Sequence, residues 1–146
     1  MSEEDKQRRR MQAAQKRRQA RDLEKQCTII QGKKAELEAK IEKLEKAKQE
    51  ITTALTSVSG FSKGLSSLKD TGSGSFKGDR KDKFDKKVGD VQKVLTTFKK
   101  GHKANKSKID EKIQKLKENL QRVSMSIGTL DVRIGSLDAA AAQLES

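Results

Sequence analysis

A seven-residue repeat of apolar side chains limits what this chain can fold into more than any other feature. From Leu23 to Val58, apolar residues recur at strictly alternating steps of four and three. A mean period of about 3.5 residues is typical of helices that pack together in a left-handed supercoil. The repeat therefore predicts a helix over residues 23–59. Its positions, which we call the seam, are Leu23, Cys27, Ile30, Lys34, Leu37, Ile41, Leu44, Lys48, Ile51, Leu55 and Val58.

A second repeat predicts a second helix over residues 79–145. It resumes the four-three steps at Phe84 and passes through two polar residues, His102 and Asn105. Two consecutive steps of four, from Asn105 to Ile109 and then to Ile113, indicate a stutter that locally unwinds the supercoil. We expect the helix-packing and partner-binding seam of the two helices to contain Leu37, Ile41, Leu44, Ile51, Leu55, Phe84, Val88, Val91, Leu95, Ile127, Leu130, Ile134 and Leu137.

The segment between the two repeats, residues 60–78, is rich in Gly and Ser and is predicted to be a connecting loop. The expected fold is therefore all-α, an antiparallel two-helix coiled-coil hairpin over residues 23–146. Residues 1–22 continue the seam poorly, through Ala20, Lys16 and Ala13. We expect them to form a basic, frayed helical extension.

Polar residues interrupt both seams, and folding about the centre of the predicted loop brings them together. Such folding pairs residues whose numbers add to about 136, which places Lys34 opposite His102 and Gln31 opposite Asn105. A polar layer in a coiled coil lowers stability and specifies register. We interpret Lys34, His102 and Asn105 first as a register layer and only second as a functional site.

The composition argues against catalysis and against cofactors. The chain has one Cys and one His, far apart in sequence, and no Trp or Tyr, so neither metal-ligand spacing nor an aromatic pocket is present. We expect no catalytic, cofactor-binding or metal-binding residues. No apolar run approaches the roughly 18 residues of a membrane span, and no signal-peptide core follows the basic N-terminus. The expected location is cytoplasmic, with any export by a route that does not use a signal peptide.

The formal net charge of +13 leaves a nucleic-acid partner open as an alternative function. Basic residues cluster at Arg8–Arg10, at Lys16–Arg18 and over residues 77–108, where twelve Lys and Arg face four Asp. However, no aromatic residues are interleaved for base stacking, and Lys-rich outer positions are usual on a solvated coiled coil. An acidic protein partner is the more economical interpretation. Self-association into a homo-oligomeric coiled coil is a third hypothesis.

A short motif at the end of the loop, Phe76-Lys77-Gly78, has a structural interpretation as a tight turn with one aromatic anchor. In its context it also resembles the Trp-x-Gly turn of the helical-hairpin proteins of type VII (ESX-type) secretion. The wider match is to the YwqH-like proteins encoded beside LXG toxins. It rests on a charged helix around Ile41 to Ile51, a Gly/Ser loop, the aromatic-Lys-Gly step with Arg80 and Phe84, and the small residues Ala139 to Ala142.

The resemblance implies an accessory, chaperone-like role for an LXG-type toxin, with the toxin's N-terminal domain or a secretion component as the helical partner. Two departures matter for this role. Phe76 stands where the family turn usually has Trp, and no Phe has Asp or Glu four positions later, the spacing found in secreted members. The resemblance therefore implies that a partner supplies the export signal.

Overall fold

The computed structural model describes residues 1–72 and 78–146, without the side chains of residues 70–72. Within these residues the chain forms two helices, α1 (Glu3–Gly72) and α2 (Asp79–Glu145). They divide into two compact units: unit 1 contains residues 1–41 and 115–146, and unit 2 contains residues 42–114. In each unit a segment of α1 packs antiparallel against a segment of α2. The predicted all-α helical hairpin is confirmed.

Local hydrogen bonds mark the start of each helix, and at α1 a side chain satisfies one of the free backbone amides. Ser2 Oγ accepts from the Asp5 amide at 3.1 Å, and three acidic residues, Glu3 to Asp5, occupy the first turn of α1. Before α2, Gly78 has a φ of +74° and its carbonyl accepts from the Asp82 amide at 3.1 Å. Glycine adopts this left-handed conformation without strain, so Gly78 can turn the chain directly into the helix.

The predicted end of the first helix at residue 59 is wrong, because α1 continues to Gly72 and residues 60–72 are helical. The seam continues through this stretch: Val58 is followed by Ser62 and Leu65, and all three are half-buried. In addition, Ser66 accepts a 3.0 Å hydrogen bond from Gln92 Nε2 of α2. Packing against α2 therefore outweighs the low helix propensity of Gly60 and Gly64, about 1 kcal/mol each relative to Ala.

The expectation of a frayed N-terminal extension is also wrong. Helix α1 starts at Glu3, and Ala13 and Ala20 are among the most buried residues of unit 1, each 1% exposed. Small side chains at these seam positions let α1 lie close to the end of α2. Two side-chain contacts add to this packing: Arg17 pairs with Glu145, and Arg9 Nη2 donates to the Gln143 carbonyl at 3.3 Å.

The pairing of the helices differs from the predicted register. Three hydrogen-bonded or ion-paired contacts join residues whose numbers add to 158, one in unit 1 (Cys27 with Asp131) and two in unit 2 (Lys48 with Asp110, Ser66 with Gln92). The predicted value of about 136 is therefore wrong. The reason is the extra length of α1, since moving the end of the helix from residue 59 to residue 72 moves the point of reversal along the chain.

The stutter predicted in α2 is absent. From Asp85 to Leu144, buried and half-buried residues recur at unbroken steps of three and four. Gln92, Lys99 and Lys106 occupy the seam where Val91, Phe98 and Asn105 were predicted, and those three are exposed. The predicted positions follow the apolar residues, whereas the packing follows the seven-residue period. The observed positions are Asp85, Val88, Gln92, Leu95, Lys99, His102, Lys106, Ile109, Ile113, Leu116, Leu120, Val123, Ile127, Leu130, Ile134, Leu137, Ala141 and Leu144.

The core is a single line of side chains between the two helices in each unit. Every seam position of α1 from Leu23 to Val58 is buried or half-buried. In unit 1 the most buried residues are Ala13, Ala20, Cys27, Ile41, Leu116, Leu130 and Ala141, and in unit 2 they are Val88 and Ile113. Because unit 2 has so few fully buried side chains and polar residues at several seam positions, its helices share a thin core.

Candidate partner-binding surface

The heptad defines two sides of each helix pair. With seam positions lettered a and d, the e and b positions lie on one side of the seam and the g and c positions lie on the other. In an antiparallel pair, e positions of one helix approach e positions of the other, and g positions approach g positions. The two sides differ in the polar and apolar side chains that they carry.

Polar contacts occupy the e side of both units. In unit 1, the Arg17 guanidinium makes two 2.8 Å hydrogen bonds to the Glu145 carboxylate and lies 4.0 Å from Asp138. The hydrogen bond from Arg17 lowers the pKa of Glu145, and the same pairing raises the pKa of Arg17. In unit 2, Lys48 reaches Asp110 at 2.7 Å. The e side therefore carries the ion pairs that join the two helices within each unit, and we do not consider it a candidate binding site.

Cys27 is a seam residue with one polar contact. Its Sγ lies 3.7 Å from Asp131 Oδ1, and the side chain is buried. Burial raises the pKa of the Cys27 thiol, and the neighbouring Asp131 carboxylate raises it further. A thiol held in its neutral form is a weak nucleophile, so Cys27 fills the core of unit 1 as a small apolar residue.

The g side of unit 1 is an open groove lined by both polar and apolar side chains. One part of it is lined by Gln19, Asp22 and Leu23 of α1 and by Val132, Arg133, Ser136 and Leu137 of α2. A second part is lined by Lys33, Glu36, Leu37 and Lys40 of α1 and by Asn119, Arg122 and Val123 of α2. Residues from g and c positions of both helices thus meet on one side, as antiparallel pairing requires.

The g side of unit 2 is apolar and exposed. Among the described residues of unit 2, all five strongly exposed large hydrophobic side chains occupy g or c positions. The e, b and f positions of the same unit carry polar, charged or small residues. The exposed large apolar side chains therefore all lie on the g side of unit 2. We call this set the apolar face: Phe61, Leu68, Val91, Val94 and Phe98.

The predicted assignment of the helices left out the apolar face. It placed Val91 and Phe98 in the seam and Phe61 and Leu68 in a loop, so the exposed aromatic and aliphatic residues were assigned elsewhere. Strict continuation of the four-three steps through Gln92, Lys99 and Lys106 was the signal that could have found it. That continuation leaves Val91, Val94 and Phe98 outside the seam.

The three residues predicted to form a polar register layer are not assembled as such. Lys34 belongs to unit 1, whereas His102 and Asn105 belong to unit 2. His102 is a half-buried seam residue whose ring stacks on Phe98 with centroids 3.9 Å apart, and Asn105 is exposed outside the seam. The layer followed from the 136 register, and it is lost with that register.

The turn motif lies mostly outside the described residues. Phe76 and Lys77 belong to residues 73–77, which the structure does not describe, while Gly78 is the residue with positive φ at the start of α2. Of the first residues of α2, Phe84 is half-buried and occupies a g position. The tight reversal predicted at this motif stays a prediction, since residues 73–77 lie outside the described residues.

The comparison with known families supports the resemblance drawn from the sequence. The family model of the YwqH-like proteins matches residues 18–139, which include most of both helices. The chain belongs to the YwqH-like family. No curated protein matches the chain at a significant level. In the part of this YwqH-like chain that the structure describes, neither helix has a stretch long and apolar enough to cross a membrane.

Proposed function

We propose that this YwqH-like chain is a non-enzymatic helical interaction protein, an accessory and chaperone-like partner of an LXG-type toxin in type VII secretion. The observation that carries the proposal is the apolar face of unit 2 on a two-helix scaffold. Two helices bury only one side of each other, and an additional helix on the g side would complete a bundle.

The family assignment suggests which class of protein is the partner. YwqH-like proteins resemble components encoded beside LXG toxins, so a helical segment of such a toxin is the partner that the resemblance implies. The thin core of unit 2 supports the same proposal, because a helix pair with polar residues in its seam gains stability when a partner covers its exposed apolar side chains.

The proposal is tested by co-expressing the tagged chain with the helical N-terminal domain of the LXG-type protein encoded beside it. The nuclease-treated extract is purified at moderate salt, and the eluate is analysed by size-exclusion chromatography with light scattering. We expect one complex of defined stoichiometry that contains both proteins. Elution of the chain as a free species would rule out the toxin-partner role.

A matched control uses the helical domain of an LXG-type protein from an unrelated locus. We expect it to remain separate, because a specific partner must fit the spacing of the exposed side chains as well as their apolar character. A gel-shift assay with duplex nucleic acid tests the alternative function. Retardation at low salt, together with failure of the toxin domain to bind, would favour the nucleic-acid hypothesis instead.

A further inference from the structure

We infer that the apolar face of unit 2 docks an amphipathic helix with acidic flanks from a different protein, at close approach near Gly64, rather than a second copy of this chain. This inference deepens the proposed function and rests on it for the source of the helix. Three observations carry it: the arrangement of the exposed side chains, the position of a glycine among them, and the charges around them.

Exposed apolar side chains of α1 and α2 lie at matching levels along unit 2. Phe61 on α1 is 58% exposed, and Val94 and Phe98 on α2 are 68% and 38% exposed. Phe61 and Phe98 have numbers that add to 159, close to the 158 of the observed cross-helix pairs, so antiparallel pairing places them at the same level. Aromatic side chains at one level on both helices would let a docked helix contact both helices of unit 2.

Gly64 lies on this face between Phe61 and Leu68. A Cβ added at Gly64 would meet nothing within 4 Å, so no contact within the described residues requires a glycine there. All eight described glycines are equally open, so what connects Gly64 to a docked helix is its place on the face, at a c position, where a glycine permits close approach of another backbone. Gly101, at the c position after Phe98, is equally open.

The charges around the apolar face are mostly positive. The charged residues at g and c positions of unit 2, counted over the described side chains, are five basic and one acidic. Residues 42–114 as a whole carry eighteen Lys and Arg against ten Asp and Glu, a net charge of +8. A partner helix with acidic flanks matches these charges. The six residues are Lys43, Arg80, Lys87, Lys108 and Lys112, with Glu50.

The same charges disfavour a second copy of the chain as occupant. Stacking two apolar faces would bring two units of +8 together and align their Lys-rich margins. Like charges across an interface oppose association and reduce its rate. A heterologous helix avoids this repulsion.

The test uses two synthetic probes of four heptads, about 28 residues each, with Leu at positions a, d and e. All other positions carry mainly Glu in the first peptide and mainly Lys in the second. Binding to the full-length chain is followed by fluorescence anisotropy. We expect the Glu peptide to bind at least about tenfold more tightly than the Lys peptide, with the difference shrinking at high salt. Equal binding of both peptides would overturn the charge argument.

Substitutions locate the bound peptide. Phe61→Ser with Val94→Ser is expected to weaken the Glu peptide roughly 30-fold, as for the loss of central interface residues. The matched control is Met125→Ser with Val132→Ser, two exposed apolar residues of unit 1. We expect the control to bind like the unmodified chain, and circular dichroism must show both variants equally helical. Equal loss in both variants would place the peptide elsewhere and overturn the inference.

Glycine substitutions test the close approach. Gly64→Ala and Gly60→Ala both replace an open, exposed helical glycine, but Gly60 occupies an f position away from the face. Both variants should raise the melting temperature, and only Gly64→Ala should weaken the Glu peptide, by roughly tenfold. Unchanged binding in Gly64→Ala would contradict the close approach.

Three outcomes distinguish this inference from self-association and from the proposed function. If the chain sediments as a dimer that Phe61→Ser dissociates, the occupant is a second copy and the inference is wrong. If the LXG domain binds the Phe61→Ser, Val94→Ser variant as well as it binds the unmodified chain, the proposed function stands and the docking surface is elsewhere. If the Glu peptide binds at the face and the LXG domain does not bind, the face is supported and the toxin role fails.

Discussion

The Lys48 ammonium of α1 lies 2.7 Å from the Asp110 carboxylate of α2, and this ion pair marks the level of the two helices in unit 2. Ser66 and Gln92 repeat the same numerical relationship 18 residues further along α1, since both pairs add to 158. Both members of the ion pair are partly exposed, so the pair itself contributes little stability. Its value is as a marker of register.

The register predicts which seam residues face each other. Leu55 and His102 are half-buried seam positions of unit 2 whose numbers add to 157, so they should occupy one layer. In a Cys27→Ser background, Leu55→Cys with His102→Cys is expected to crosslink rapidly with a short bismaleimide. Mass spectrometry of the peptide digest measures the product.

The control for the crosslink is Leu55→Cys with Lys81→Cys, the pair that the 136 register would bring together. Lys81 lies 21 residues before His102 on α2, which is about 31 Å along a helix. We expect no intramolecular product from this pair. Efficient crosslinking of residues 55 and 81 would show that the helices slide past each other.

Core packing predicts a large difference between two isoleucines of α1. Ile41 is 7% exposed in the seam, whereas Ile29 is 62% exposed at a c position. Ile41→Ala should lower the free energy of unfolding by about 2–4 kcal/mol because it leaves a cavity in a thin core. Ile29→Ala should change it by less than about 0.5 kcal/mol. Urea unfolding followed by circular dichroism measures both, and equal effects would argue against the observed seam.

Polar seam residues of unit 2 predict that an apolar replacement stabilises the chain. Lys106 is half-buried in the seam, and Lys100 is exposed at a b position. Lys106→Leu should raise the free energy of unfolding by about 1 kcal/mol, because it adds apolar area to the layer that contains Ile51. Lys100→Leu, the matched control, should change it by less than about 0.5 kcal/mol. A destabilised Lys106→Leu variant would contradict the assignment.

The helical hairpin could be predicted from sequence because Leu, Ile and Val recur at steps of three and four among charged residues, and this period is that of two packed helices. The register could not, because it depends on where the chain reverses. Gly60, Gly64 and four nearby serines indicated a loop by local propensity, yet tertiary packing keeps this stretch helical up to Gly72. An error of thirteen residues in one boundary displaced every predicted cross-helix pair, including Lys34 with His102.

The apolar face could not be predicted for a related reason. Val91 and Phe98 are apolar and lie one position before Gln92 and Lys99. A seam assigned by hydrophobicity therefore takes Val91 and Phe98 in place of Gln92 and Lys99. Such a seam is one residue out of step, and it needs a stutter to rejoin the apolar positions that follow. Only the positions of the neighbouring helix decide which set is buried. A seam with Gln92, Lys99 and Lys106 inside and Phe98 outside is unfavourable for an isolated helix pair, and this supports the partner that we propose.

The environment of Cys27 predicts slow thiol chemistry. Burial and the Asp131 carboxylate both raise the pKa of the Cys27 thiol, so little thiolate is present at neutral pH. Modification by a chromogenic disulfide reagent should be slower in the native chain than in denaturant, because burial restricts access to the sulfur and the raised pKa lowers the thiolate fraction. Asp131→Asn removes one of the two causes and should accelerate the native reaction. Native and denatured rates that agree would show that the helix ends of unit 1 open freely.

The Arg17–Glu145 pair predicts how stability responds to acid. Its hydrogen bond lowers the pKa of Glu145 in the folded chain, so the carboxylate binds its proton more readily when the chain is unfolded. The contribution of the pair is therefore complete above the ordinary Glu pKa of about 4.3 and disappears as the pH falls through the lowered pKa. Thermal melts at several pH values between about 2 and 6 measure this effect against Glu145→Gln and against Glu118→Gln, an exposed glutamate of the same helix. The unmodified chain and the Glu118→Gln control should lose this increment on acidification, whereas Glu145→Gln should lack it at every pH. Parallel melting curves for all three proteins would mean that the pair contributes nothing in solution.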